Sequence, residues 1–139
     1  MNNTILLECE NFSLSLDFQV FESDISYPSN TILSVSVSSE GFSASTTMDI
    51  DIKDIQTFCN ELQKTYDSLK GEARIQEPYG NQHILFTGDK KGYIFVSGML
   101  NSNGANGFWQ ELKFENCLDQ TFMPQFLRKL TALSSKYTK

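Results

Sequence analysis

The sequence predicts an α+β fold, an antiparallel sheet of about seven or eight strands with two amphipathic helices packed on one face. Three observations lead to this class. Alternation of apolar and polar residues fills the first fifty positions, gives way to helical spacing at about 53–70, and then returns. A second helical stripe closes the chain. Strands that come in groups, rather than one for each helix, are typical of antiparallel α+β domains.

The first group of strands is predicted at about 4–52. Every even position from Phe12 to Val20 is apolar and every odd one is polar, as in a strand with one face on a core. Pro28 and Asn30 mark a turn, and Glu40-Gly41 marks a tight reversal between two further alternating runs. Short turns between alternating strands predict an antiparallel meander.

The first helix is predicted at about 53–70. Its apolar stripe recurs at helical spacing and consists of Ile55, Phe58, Cys59, Leu62, Tyr66 and Leu69. Asp51 or Asp54 can cap its first turn, where a carboxylate accepts free backbone N–H groups. Gly71 is expected to end it in a left-handed conformation.

Further strands are predicted at about 72–118 and a second helix at about 120–137. The second stripe consists of Phe122, Phe126, Leu130 and Leu133. Asp119 or Thr121 is expected to cap this helix, a structural role. Both helices share a Phe-x-x-x-Leu spacing, which leaves open a duplicated strands-plus-helix unit. We expect one domain over residues 1–139.

Composition limits the function classes. The chain has 139 residues, 40% hydrophobic, with a formal net charge of −6. Residues 1–60 hold nine acids and one lysine, whereas residues 61–139 hold eight acids and ten bases. Such a surface disfavours nucleic acid and steers a basic partner toward the first half, although solubility alone explains a modest negative charge equally well. No apolar run approaches a membrane span, and no signal peptide is visible, so we expect a cytoplasmic protein.

Catalytic and metal-binding constellations are missing from the sequence. His83 is the only histidine, which excludes a multi-histidine metal centre and leaves a single possible base for a catalytic triad. Gly104 and Gly107 fit no phosphate-binding motif. Cys9, Cys59 and Cys117 lie far apart, so we expect free, mostly protected thiols in a reducing compartment. We therefore expect no enzyme, no metal and no cofactor, and a monomer, with a dimer left open.

Five residues are candidates for partner binding. Asp49, Asp51 and Asp54 form the densest acidic group, which suits steering of a partner, a divalent cation or simply a solvated strand-to-helix corner. Trp109 follows an Asn/Gly loop and shares a strand face with Glu111. A tryptophan there serves either as a binding anchor or as packing at a helix–sheet seam.

Several segments resemble the WapI family of small bacterial immunity proteins. These are the step Asp119-Gln120-Thr121 into the last helix, the Tyr27-Pro28 turn, Phe42–Ser45, and the helix with Phe58 and Leu62. The position before Leu33 holds Ile32, where the family pattern has tryptophan. The resemblance implies a non-enzymatic cytoplasmic partner that neutralises the C-terminal domain of a polymorphic toxin. The alternative is a small-ligand or accessory protein-binding domain.

Overall fold

The computed structural model describes residues 4–137, which form eight strands and two α-helices. In chain order these are β1 (Thr4–Cys9), β2 (Phe12–Val20), β3 (Thr31–Ser39), β4 (Phe42–Ile50), α1 (Ile52–Ser68), β5 (Glu72–Gln76), β6 (His83–Gly88), β7 (Tyr93–Ser102), β8 (Gln110–Asp119) and α2 (Met123–Lys136). Short 3-10 turns lie at Glu22–Asp24 and Gln120–Phe122. The predicted α+β class and antiparallel pairing are confirmed.

The eight strands divide equally between two sheets. The first sheet has the order β1-β2-β3-β4 and the second has the order β5-β6-β7-β8, and every neighbouring pair is antiparallel. Each sheet is a meander that is followed by one α-helix, so the chain repeats four strands and a helix. The two helices pack against each other, α1 also packs on β5 and β6, and α2 packs on β1.

The inward faces of both sheets and the apolar stripes of both helices share one buried cluster. Three aromatic contacts connect its parts. Phe86 of β6 lies 5.7 Å from Phe58 of α1 and 6.0 Å from Phe126 of α2, between ring centroids. Phe12 of β2 and Phe114 of β8 stack at 6.2 Å, which joins the first sheet to the second. Large aromatic side chains contribute strongly to core energetics, so these contacts fix how the layers meet.

Helix α1 begins with an aspartate cap, as predicted, but it ends before the predicted residue. Asp51 is its N-cap and accepts a hydrogen bond from the Lys53 N–H at 2.9 Å. The helix stops at Ser68, and Leu69, rather than Gly71 alone, takes the left-handed conformation with φ 56°. A tertiary contact accounts for the difference. The Lys90 N–H donates to the Leu69 carbonyl at 2.7 Å, which holds Leu69 in a conformation that costs a branched side chain energy.

Side-chain hydrogen bonds, rather than a shared backbone ladder, join the two sheets where β4 approaches β7 and β8. Buried Gln82 donates through Nε2 to the Thr47 carbonyl and accepts through Oε1 from the Asn101 N–H, both at 3.0 Å. Thr46 Oγ1 donates to the Asn101 carbonyl at 3.0 Å. Further along, Asn116 Nδ2 donates to Ser39 Oγ at 3.1 Å. We call this boundary the seam. Neither α-helix of the described chain is long and apolar enough to cross a membrane.

Candidate functional site

The first sheet is uniformly acidic. Residues 4–50 contain seven carboxylates and no lysine, arginine or histidine; the acids are Glu8, Glu10, Asp17, Glu22, Asp24, Glu40 and Asp49. Within the described part of the chain none of the seven forms an ion pair. The nearest base along the chain is Lys53, in α1. This half of the molecule therefore presents an uncompensated negative field to any approaching partner.

The outer face of this sheet is rich in hydroxyl groups. Strand register aligns Ser13, Ser38 and Ser43 in one row across β2, β3 and β4, and it aligns Ser15, Ser36 and Ser45 in the next. Ser36 and Ser45 lie 2.9 Å apart between their hydroxyl oxygens. Short side chains let another surface approach the sheet closely, and each hydroxyl can donate or accept a hydrogen bond.

At one end of the sheet, the β1–β2 and β3–β4 turns enclose a groove of about 730 Å³. Glu8, Glu10 and Glu40 line this groove together with Phe12 and Phe122. We call it the turn groove. Phe122 is 45% exposed, whereas Phe12 is buried. Three carboxylates beside an exposed aromatic ring suit a basic side chain with an apolar stem.

The β3–β4 turn itself is tight. Glu40 has φ 52° and Gly41 has φ 88°, the pair of positive angles that two-residue hairpin turns require. Asparagine or glycine usually occupies the first of these positions, so the turn holds a glutamate in a disfavoured backbone conformation. Phe42 follows immediately, at the start of β4, and is 69% exposed. The turn thus presents a carboxylate and a phenyl ring side by side.

A second groove, the seam groove, continues from the turn along the boundary between the sheets. It has a volume of about 420 Å³ and is lined by Ser39, Glu40, Phe42, Glu111, Leu112, Lys113, Phe114 and Glu115. An adjoining groove of about 500 Å³ shares Phe42, Glu111 and Leu112 and extends to Thr46. Since Glu40 lines both the turn groove and the seam groove, the two form one continuous acidic surface with exposed apolar walls.

Trp109 lies on the surface beside this region. It is 53% exposed, so it does not pack at a helix–sheet seam, one of the two roles that the sequence left open for it. Its Nε1 is 3.4 Å from Glu111 Oε1, and Glu111 Oε2 is 3.8 Å from Lys113 Nζ. Phe108, in the same hairpin loop, is 71% exposed. The β7–β8 hairpin thus ends in two neighbouring exposed aromatic side chains.

The three predicted aspartates have different surroundings. Asp49 is exposed on the outer face of β4, opposite Ile32. Asp51 Oδ1 is engaged by the Lys53 N–H and by Asn30 Nδ2, at 2.9 and 3.2 Å. Burial raises the pKa of the Asp54 carboxyl, and the nearby charge of Asp51 raises it further. Asp51 therefore holds the start of α1, and only Asp49 and Asp54 are free to face a partner.

The segment before α2, Asp119-Gln120-Thr121, does not cap that helix as expected. Asp119 Oδ1 accepts from the Thr121 N–H at 2.9 Å and caps the 3-10 turn Gln120–Phe122. The N-cap of α2 itself is Phe122, which makes no side-chain capping bond. The 3-10 turn shifts the helical register, so Met123 is buried in place of Phe122. This shift is what exposes Phe122 at the turn groove.

The remaining reactive side chains are dispersed. Cys59 is buried, Cys9 is partly buried and Cys117 is exposed, and all three are free. The expectation of mostly protected thiols therefore does not extend to Cys117, which is exposed. His83 Nδ1 lies 3.1 Å from the Asn81 carbonyl, a local contact. Among the described residues no three His, Cys, Asp or Glu side chains lie close enough to hold a metal ion.

Sequence patterns did not identify the turn groove or the seam groove. Glu8, Glu10 and Glu40 lie in or beside turns, where acidic residues are common, and Phe42 and Phe122 continue apolar patterns that otherwise point to the core. The available signal was the complete absence of basic residues before Lys53.

Comparison with protein-family models matches residues 6–138 to a family described as the immunity protein WapI-like family. This match covers nearly the whole chain. A search among curated proteins gave no match.

Proposed function

Because the chain belongs to the WapI-like immunity protein family, we propose that it neutralises a cognate bacterial toxin domain by binding it directly, without catalysis. The observation that carries this proposal is the uncompensated acidity of residues 4–50, which hold seven carboxylates and no basic side chain. A toxin domain with a basic surface is the partner whose charge complements this half of the molecule. The proposed place of action is the cytoplasm, where such a toxin domain would meet its target.

The acidic field supports fast association. Long-range attraction between oppositely charged surfaces raises the rate of encounter, and salt weakens it because the Debye length is only about 8 Å at physiological ionic strength. Asp49 and Asp54 extend this field beyond the turns toward α1. We assign to them a role in steering rather than in direct anchoring, because exposed charges at the edge of an interface act mainly on the association rate.

Exposed aromatic side chains supply the anchoring contacts in this proposal. Phe42 lines the seam groove, and Trp109, with its partner Glu111, lies at the loop end of the β7–β8 hairpin. Aromatic residues dominate binding energy at interfaces because they offer a large rigid contact area. The hydroxyl-rich face of the first sheet provides further hydrogen-bonding groups beside them. Blocking of a toxin cleft by this surface requires no chemistry from the chain itself.

The test takes as its probe a toxin domain found encoded beside the gene for this chain. Co-expression of the two should restore growth of a sensitive host, and the purified proteins should form a stable complex. If co-expression gives no rescue of growth and no complex forms with that domain, the proposal is overturned. Growth rescue by a chain that destroys or modifies the toxin, visible as a changed toxin mass, would replace binding by enzymatic inactivation.

Kinetics separate steering from anchoring. Asp49→Lys should lower the association rate constant at low salt about threefold or more and leave dissociation nearly unchanged. Trp109→Ala should instead raise the dissociation rate constant at least tenfold, as truncation of an aromatic anchor does. Glu72→Lys, a charge reversal at another exposed position, this one in the second sheet, is the matched control for Asp49. An association rate constant that changes neither with salt nor in Asp49→Lys would contradict the steering role.

A further inference from the structure

We propose that the seam groove receives one arginine side chain of the toxin partner, and that this arginine is the central anchor of the complex. The inference rests on the proposed function and specifies its chemistry. It follows from three properties of the groove, namely its apolar walls, its carboxylates and its size.

The walls of the seam groove offer an apolar stacking surface. Phe42 is 69% exposed and lines the groove, together with partly buried Leu112 and buried Phe114. A planar guanidinium packs well against an aromatic face, and the methylene stem of arginine covers aliphatic surface. An uncharged apolar side chain would also fit these walls, so the walls alone do not select arginine.

The carboxylates select a cation. Glu40, Glu111 and Glu115 line the same groove, against the single base Lys113. Lys113 is 77% exposed at its side chain, and its Nζ lies 3.8 Å from Glu111, so it neutralises one carboxylate at most and only weakly. Glu40 and Glu115 have no ion-pair partner among the described residues. An arginine fork can engage two carboxylates at once, whereas a lysine ammonium acts as a point charge.

The size and closure of the groove favour one side chain over an added strand. Its volume is about 420 Å³. The hydrogen bond from Asn116 to Ser39 closes the seam on one side, and the bond from Thr46 to Asn101 closes it beyond the adjoining groove. The first bond links β3 to β8 and the second links β4 to β7, so the two sheets are held together at both ends of this stretch and a partner strand has no room to pair with both edges. A single long side chain can enter from the open face.

The first experiment measures affinity for the toxin domain encoded beside the gene, by calorimetry on folded full-length variants. Phe42→Ala should weaken binding at least tenfold, and Glu40→Gln and Glu115→Gln should each weaken it about threefold to tenfold. Matched controls are Tyr79→Ala, an aromatic residue that is 90% exposed in the β5–β6 turn, and Glu61→Gln on α1. Both controls should bind within about twofold of the unmodified chain.

The second experiment identifies the occupant by alanine replacement of each surface arginine of the toxin domain. One Arg→Ala change should weaken binding as much as Phe42→Ala does, and the two changes combined should cost far less than their separate effects multiplied. Arg→Lys at that position should restore only part of the affinity, because lysine keeps the charge but loses the fork.

Three results would overturn the inference. If the complex forms but Phe42→Ala, Glu40→Gln and Glu115→Gln all bind within twofold of the unmodified chain, the anchor lies elsewhere and neutralisation by binding still stands. If no complex forms at all, the proposed function fails together with the inference. If the effect of Phe42→Ala is instead coupled to that of replacing an apolar toxin residue, arginine is not the side chain that occupies the groove.

Discussion

Asn30 and Asp51 lie 21 residues apart in the chain, yet Asn30 Nδ2 donates to Asp51 Oδ1 at 3.2 Å. The same asparagine amide donates to the carbonyls of Ile25 and Tyr27, both at 3.0 Å. Its Oδ1 accepts from the Ile52 N–H at 2.9 Å. One buried side chain therefore ties the β2–β3 connection to the first turn of α1, and it orients the carboxylate that caps that helix.

Asn30→Ala should destabilise the fold by about 3 kcal/mol, because several buried groups lose their partners at once. Unfolding in urea, followed by far-ultraviolet circular dichroism, gives the measurement. Asn60→Ala, at an exposed asparagine of α1, is the control and should stay within about 0.5 kcal/mol of the unmodified chain. Equal stability of the two variants would show that the Asn30 network is dispensable.

Gln82→Ala should cost about 2 kcal/mol in unfolding free energy, since the Thr47 carbonyl and the Asn101 N–H both lose their side-chain partner at the seam. The matched control is Gln63→Ala, because Gln63 is half-buried on α1 and bonds only locally to Asp67. Chemical denaturation of both variants distinguishes a link between sheets from a generic loss of a glutamine. A loss no larger than that of the control would contradict the linking role.

Asp54→Asn should raise thermal stability at neutral pH. The pKa of the Asp54 carboxyl is raised in the folded protein by burial, with a further contribution from Asp51. The folded state therefore holds the proton more tightly than the unfolded state does, so stability is lost as pH rises through the folded pKa. The melting temperature of Asp54→Asn should exceed that of the unmodified chain at pH 7, and the difference should shrink at pH 3. A constant difference across that range would exclude this carboxyl as the source.

Alkylation should proceed in a fixed order along the three thiols. Cys117 is exposed and should react first with N-ethylmaleimide in the native protein. Cys9 should react more slowly, because burial raises its pKa and keeps it in the unreactive thiol form. Cys59 is buried on α1 where it faces α2, with its Sγ 3.5 Å from Thr131 Oγ1, and should react only after denaturation. Peptide mass spectrometry gives the order, and native protection of Cys117 would contradict its exposure.

The sequence by itself determined the elements and their local chemistry. Alternation in Phe12–Val20 predicted β2, and helical spacing from Ile55 to Leu62 predicted the buried face of α1, because side-chain periodicity follows backbone geometry directly. The charge asymmetry was also visible, since the absence of bases before Lys53 is a property of composition alone. Segments such as the Asp119–Thr121 step further indicated the family to which the chain belongs.

Only the tertiary structure decided how these parts meet. The way the two sheets meet depends on long-range packing such as that of Phe12 against Phe114 and on side-chain bonds such as that from Gln82 to Thr47, which no local pattern encodes. The acidic grooves arise because the β1–β2 turn and β8, which are far apart in the chain, both lie close to Glu40 in the β3–β4 turn. The exposure of Phe42 depends on the tight turn before it, and that of Phe122 on the 3-10 turn that shifts the helical register. Periodicity predicts which way a side chain points from its own element but not what that side chain then meets.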